Sequence, residues 1–157
     1  MDFNINWGGS GIEKCLYDFI VNKFPKGSKM LELGGGNVST KVFSTHFNLT
    51  TIEEDPKWIN IFSSRYILAG IKNGWYDSGV LKSELKNDYD VIFVDGPKGE
   101  GNRVGLLNNL DLFNKNAVWI FHDTYRDSEK KLSLEIAKAL NKEIVFYNEC
   151  DYWCVIE

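Results

Sequence analysis

No stretch of the 157-residue sequence approaches the roughly 18 apolar residues in a row that a bilayer crossing needs, so the chain reads as soluble, with no membrane partner. Basic runs are missing as well. Against 22 Asp+Glu stand 18 Lys+Arg, and without a positive patch nucleic acid is excluded as the main partner. Cysteine is scarce: Cys15, Cys150 and Cys154 are odd in number, lack metal-type spacing and follow no secretory leader. That pattern predicts reduced thiols in a cytoplasmic protein, with Cys150 and Cys154 as packing residues on either side of Asp151–Trp153. Repeats, linkers and low-complexity segments are also absent. Residues 1–157 therefore read as one domain large enough to bury a core, with 1–27 contributing a helix that packs on a sheet.

Aromatic side chains are plentiful, with 10 Phe, 7 Tyr and 5 Trp, and several fall in expected loops where they could line a small-molecule site. The most informative stretch is Ser28–Asn37. Met30 to Leu33 is a short apolar run carrying one acid, Glu32, and it breaks into Gly34, Gly35 and Gly36. An apolar run ending on glycines reads as a buried strand that stops abruptly. Val38, Val42, Phe43 and Phe47 then share one face at helical spacing. Strand, glycine turn and helix open a nucleotide-binding α/β unit, in which backbone N–H groups face a ligand.

The rest of the chain repeats the pattern. Ser10 and Glu13 suggest a capping box ahead of a helix with Ile12, Leu16, Phe19, Ile20 and Phe24 on one face, ended by Pro25 and Gly27. Leu49–Glu53 reads as a strand ending on acids, and Asp55–Pro56 as a helix start. A third strand is expected over Arg65–Ile71, a loop over Lys72–Gly79, and a short helix to Lys86. Tyr89–Val94 is the strongest strand, its continuous apolar run implying burial on both faces. A helix over Arg103–Phe113, a strand over Ala117–Phe121, a helix over Asp127–Lys142 and a closing hairpin, Ile144–Tyr147 with Tyr152–Ile156, complete the chain. The expected fold is α/β: a doubly wound, mostly parallel seven-stranded sheet with an antiparallel C-terminal hairpin. Ligands of such sheets bind outside the carboxyl ends of the strands, where Glu32–Gly36, Glu53, Asp95–Lys98 and His122–Thr124 all fall.

Gly34-Gly-Gly36-Asn-Val-Ser39 departs from the dinucleotide pattern by a serine in the third place, although Glu53 stands at a plausible distance. A carboxylate two residues before the first glycine would repel a pyrophosphate yet attract an amino or sulfonium group. Through Leu31-Glu-Leu-Gly-Gly-Gly36, Thr51-Ile-Glu53 and the terminal hairpin, the sequence resembles the class I S-adenosylmethionine-dependent methyltransferases over nearly its whole length. The resemblance implies S-adenosyl-L-methionine as cofactor. Gly34 and Gly36 would let the backbone approach its methionine part, Glu53 would bridge the ribose hydroxyls, and Glu32 would sit near the ammonium. Gly35, Glu54 and Asp95, at the same strand tips, complete the expected set.

Neither an Asn/Asp-Pro-Pro-Tyr/Phe run nor a Pro-Cys nucleophile is present, which counts against the amino-group, adenine and cytosine-C5 branches. Asp95-Gly-Pro-Lys98 and His122-Asp123-Thr124 stand there instead. Asp95 and Asp123 could share a divalent cation, Mg or Mn, through oxygen ligands. That arrangement is similar to the catechol-type and macrolide-sugar O-methyltransferases, in which Lys98, three residues after Asp95, would match the base. Asp95-Gly-Pro also resembles the glucuronoxylan methyltransferase group, which methylates a sugar hydroxyl. The pair after the fifth strand departs from the catechol pattern, and a metal-free alternative makes His122 the general base. Asp123 also fits a turn into the last helix, Lys98 and Arg103 fit solvent-facing or anion-binding roles, and His46 fits a cap on the second helix. Trp7, Trp75, Tyr76, Tyr125 and Arg126 are the candidate substrate contacts, each equally open to core packing. With one helix before the first strand and no inserted lid, the acceptor side should be open to a saccharide or to a cap from a second subunit in a homodimer. The alternatives are a non-catalytic S-adenosylmethionine-binding module and an NAD-binding oxidoreductase.

Overall fold

A computed structural model describes residues 4–157. The elements are α1 (Lys14–Lys23), β1 (Lys29–Leu33), α2 (Ser39–Phe43), β2 (Asn48–Glu53), β3 (Arg65–Leu68), β4 (Ile71–Lys72), β5 (Trp75–Tyr76), α3 (Ser78–Glu84), β6 (Val91–Val94), α4 (Gly105–Asn108), β7 (Val118–His122), α5 (Asp127–Leu140), β8 (Ile144–Tyr147) and β9 (Trp153–Ile156). Seven strands form the main sheet in the order β3-β2-β1-β6-β7-β9-β8. The first five positions are parallel, while β9 runs antiparallel to both β7 and β8.

Continuous burial explains the centre of this order. All of Val91–Val94 is buried, and β1 is buried from Met30 onward. Such runs need helices on both faces. On one face Met30, Val91, Phe93 and Ile120 pack against Leu16 and Ile20 of α1 and Phe43 of α2. On the other, Leu31, Ile92, Trp119 and Phe121 pack against Leu81 of α3, Leu106 of α4, and Leu132 and Ile136 of α5.

Several local expectations are corrected. Glu13, not Ser10, is the N-cap residue of α1, and no side chain caps it. Its N–H instead donates to Asp151 Oδ2 at 3.2 Å. The helix expected at Asp55–Pro56 is one 3-10 turn, Pro56–Trp58, capped by Asp55 on the Lys57 N–H. The third strand stops at Leu68, and the expected loop holds the small β4–β5 hairpin. Arg103–Phe113 is broken into α4 flanked by two 3-10 turns. His46 reaches the Phe24 carbonyl across the turn before β1, at 2.9 Å from Nε2, rather than capping α2.

The thiol expectation is also overturned. Cys15 on α1 and Cys150 in the β8–β9 turn form a disulfide across 135 residues, with Cα atoms 6.7 Å apart. Only Cys154 is free, and it is buried. Packing of α1 against the closing hairpin makes this pair, a relationship that residue spacing does not carry.

Candidate functional site

Because β1, β2, β6 and β7 are parallel, their carboxyl ends meet along one edge. Strand order reverses between β1 and β6, since the chain first builds outward through β2 and β3 and then returns to the other side. A crevice opens at such a switch point. Gly34–Gly36, Glu53, Asp95 and His122 all lie at this edge.

Glu32 is fully buried on β1, opposite Thr51 of β2. Its Oε2 accepts from the Thr40 hydroxyl at 2.8 Å and the Thr51 hydroxyl at 2.9 Å. Thr40 in turn accepts the Gly36 N–H at 2.9 Å, so the acid and the glycine turn are joined through one hydroxyl. Burial pushes the Glu32 carboxyl up to about 7, against the pull of these hydrogen bonds. Its Oε1 is buried without a partner among the described residues. An unsatisfied buried carboxylate oxygen beside a backbone turn is a place for a cationic ligand group or a water.

The glycine turn is shaped first by its own packing. Gly34 has φ +86°, and a Cβ there would lie 2.8 Å from the Gly96 backbone of the β6 tip. Glu53 folds back over the turn. Its Oε2 accepts the Gly35 N–H at 2.8 Å, and its Oε1 accepts those of Glu54 at 3.0 Å and Asp55 at 2.9 Å. Burial raises its carboxyl despite these donors. Glu53 is therefore a structural clamp, and its replacement by Ala would disturb the fold as well as any ribose contact. Glu54 ties the β2 tip to the β6 tip by accepting the Lys98 N–H at 3.2 Å.

A second cluster lies at the tips of β6 and β7. Asp95, His122 and Asp123 offer ligand atoms within 4.8 Å of one another, a spacing a divalent ion could bridge. Asp123 takes a left-handed backbone, φ 62°, which turns the chain sharply out of β7. Arg103 stands between the two acids. Its Nη2 lies 3.0 Å from Asp95 Oδ1 and 2.9 Å from Asp123 Oδ2. The same guanidinium donates to the backbone carbonyls of His122 at 3.0 Å and Asp95 at 2.8 Å. At 3% exposure Arg103 is no solvent-facing residue. A divalent ion expected on Asp95 and Asp123 would share this donor set with a buried guanidinium that already bridges Asp95 Oδ1 and Asp123 Oδ2.

His122 is held at both nitrogens, by Asp95 Oδ1 on Nδ1 at 3.1 Å and by Asp151 on Nε2 at 3.1 Å. Burial alone would lower it, but the two carboxylates outweigh burial and lift it to about 10. An imidazolium has no lone pair, so the general-base role expected of His122 is withdrawn at neutral pH. Asp151 is held correspondingly low.

Both donors on Asp95 land on Oδ1. Its Oδ2 accepts from no protein donor among the described residues, and the side chain is 19% exposed. The loops that follow β6 and β7 form an open cleft of about 610 Å³ lined by Lys98, Gly99, Glu100, Tyr125, Arg126 and Asp127. Tyr125 meets Tyr152 edge-on at 5.7 Å, and the Arg126 guanidinium lies 5.3 Å from the Tyr125 ring.

Trp75 and Tyr76 leave the list of substrate contacts. They are 3% and 1% exposed, part of the core beneath β5. Trp75 packs on Gly105, and the Tyr76 hydroxyl sits under Gly96. Trp7 packs on Tyr17 of α1, with ring centroids 5.4 Å apart. Sequence reasoning missed Asp151 and the burial of Arg103. Pairing register held the signal for Asp151, because His122 stands opposite Trp153 on the reversed strand β9, two residues further on.

No protein-family model matches the chain, and no functionally curated protein matches its sequence. Solved structures do share its fold. Aeropyrum pernix fibrillarin, solved with natively bound S-adenosyl-L-methionine, superposes with a TM-score of 0.61 at 11% identity over 84% of this chain and 66% of that one. A precorrin-6y C5,15-methyltransferase from Geobacter metallireducens gives 0.61 at 12% identity, over 92% and 88%. MycE methyltransferase of mycinamycin biosynthesis, in complex with Mg, S-adenosylhomocysteine and mycinamycin VI, gives 0.59 at 14% identity, over 91% of this chain but 45% of its own. The chain thus has the Rossmann-like methyltransferase fold, a likeness of architecture.

Proposed function

We propose that this chain is an S-adenosyl-L-methionine-dependent methyltransferase that methylates a hydroxyl of a saccharide or related small molecule. The observation that carries the reading is the position of β9. An all-parallel dinucleotide-binding sheet has no place for an antiparallel strand between β7 and β8, whereas the solved methyltransferases share this architecture.

When bound, the cofactor supplies an activated methyl group on a positively charged sulfur. Glu32, through its buried Oε1, unpartnered among the described residues, is the group placed to meet the ammonium of the amino-acid end, and the clamp Glu53 the one to meet the ribose. The N–H groups of Gly34, Gly35 and Gly36 are already given to Ile52, Glu53 and Thr40. On the acceptor side the chain's work is orientation and proton handling. Asp95 Oδ2 is the oxygen free to accept the acceptor's O–H, steadied by Arg103 and His122 on Oδ1. Lys98 stands on the cleft wall, three residues after Asp95. Tyr125 and Tyr152 offer exposed ring faces, which suit a sugar ring, and the open cleft suits a bulky acceptor.

Calorimetry with S-adenosylhomocysteine against NADH, followed by methyl transfer from labelled cofactor to a panel of sugar nucleotides and glycans, tests the reading. Binding of S-adenosylhomocysteine with transfer to a hydroxyl is expected. Binding without any turnover would favour the non-catalytic module, and tight binding of NADH alone would overturn the proposal.

A further inference from the structure

The acids at the β6 and β7 tips have the spacing of a divalent-cation site, yet the chain delivers its own cation to the same point. Arg103 is carried there by a purpose-shaped segment. Gly99 and Gly101, at φ +104° and +76°, fold the chain back from the β6 tip, and one 3-10 turn, Asn102–Val104, presents the side chain. Two contacts pin that turn from behind. The buried Glu129 of α5 accepts the Gly101 N–H at 3.2 Å, and Gly105 packs so closely on Trp75 that a Cβ there would lie 2.5 Å from the Trp75 Cβ. The guanidinium then meets four oxygen acceptors: two carboxylates and the carbonyls of Asp95 and His122. Nη1 donates to the His122 carbonyl, and Nη2 is shared among the Asp95 carbonyl and the two carboxylates. A divalent ion drawn to the remaining oxygens, Asp95 Oδ2 and Asp123 Oδ1, would have to sit beside a buried guanidinium that already pairs with both acids, without the water-filled octahedral shell that Mg favours.

We propose that Arg103 permanently occupies the position a divalent cation takes in a metal-assisted site, so that Asp95 and Asp123 are ligands of an arginine and the site works without metal. Its functional meaning rests on the methyltransferase reading, but the metal titration below does not. Glu129 acts through Arg103, as a positioning residue for the turn that carries it.

The test is Mn titration of the full chain followed by electron paramagnetic resonance, with S-adenosylhomocysteine calorimetry on the same samples. The wild type should show no saturable Mn site below about 1 mM, where carboxylate sites of the weaker kind still bind. Arg103→Met, which keeps length and removes charge, should gain at least tenfold in Mn affinity, and Arg103→Lys should not. A saturable wild-type site below that concentration, lost in Asp95→Asn or Asp123→Asn, would overturn the proposal. So would a folded Arg103→Met that gains nothing. If Arg103→Met fails to fold, the wild-type and Arg103→Lys titrations still decide. Loss of S-adenosylhomocysteine binding with no Mn bound would sink the cofactor reading and leave this one standing.

Discussion

The doubly held His122 makes stability depend on pH in a direction opposite to that of a histidine buried in its neutral form, whereas a free surface histidine would contribute no slope. Its ordinary value is 6.5, and in the fold it is lifted to about 10 by Asp95 and Asp151. Between those values the folded protein keeps a proton that the unfolded chain has released. Stability is therefore fully present below 6.5 and is lost as pH rises, at about 1.4 kcal/mol per pH unit. Two other buried groups add to the same trend outside a middle window: Glu32, raised to about 7, below it, and Cys154, raised from 9.0 to about 11, above it. From about pH 7.5 to 9 the loss belongs mainly to His122 and should total about 2 kcal/mol. Urea unfolding at half-unit steps across that window measures it. Asp151→Asn, which removes one of the two carboxylates, should lower the histidine's pKa and flatten the slope near pH 9. A flat wild-type profile, or a His122 ring signal titrating below pH 8 by NMR, would refute the ion-pair reasoning.

Glu53→Ala orphans three backbone N–H groups, so unfolding free energy should fall by about 3 kcal/mol, at about 1 kcal/mol each, along with weaker S-adenosylhomocysteine binding; unchanged stability would remove the clamp. Gly34→Ala places a methyl 2.8 Å from Gly96 at a left-handed φ and should cost roughly 2–4 kcal/mol in chemical denaturation. A stability within error of wild type would show that the β1 and β6 tips separate freely. Reducing the Cys15–Cys150 bond, or Cys15→Ser, opens a 135-residue loop and should lower stability by up to about 5 kcal/mol by chain entropy. An unfolding midpoint indifferent to reductant would mean that the two thiols are not bonded in solution.

Local chemistry made much of the architecture readable. Val91–Val94 is apolar throughout because both of its faces are covered, and Gly34 is glycine because the backbone turns there with positive φ beside another strand tip. Such features are written within a few residues of one another, so the alternation of strands and helices, the reversed closing hairpin and the strand-tip position of Glu32, Glu53, Asp95 and His122 could be read in order. Trp75 and Tyr76 could not, since polar and glycine neighbours make a short hairpin look like an open loop while its side chains fill the core.

The state of the site depended on groups that meet only in the folded chain. Arg103 is bound to Asp123 across 20 residues, His122 to Asp151 across 29, and Cys15 to Cys150 across 135. A side chain's charge and proton affinity are set by whatever surrounds it within a few ångströms, not by its sequence neighbours. Residue order placed a histidine and two acids at one edge; packing alone turned the histidine into a fixed cation and put an arginine between the acids.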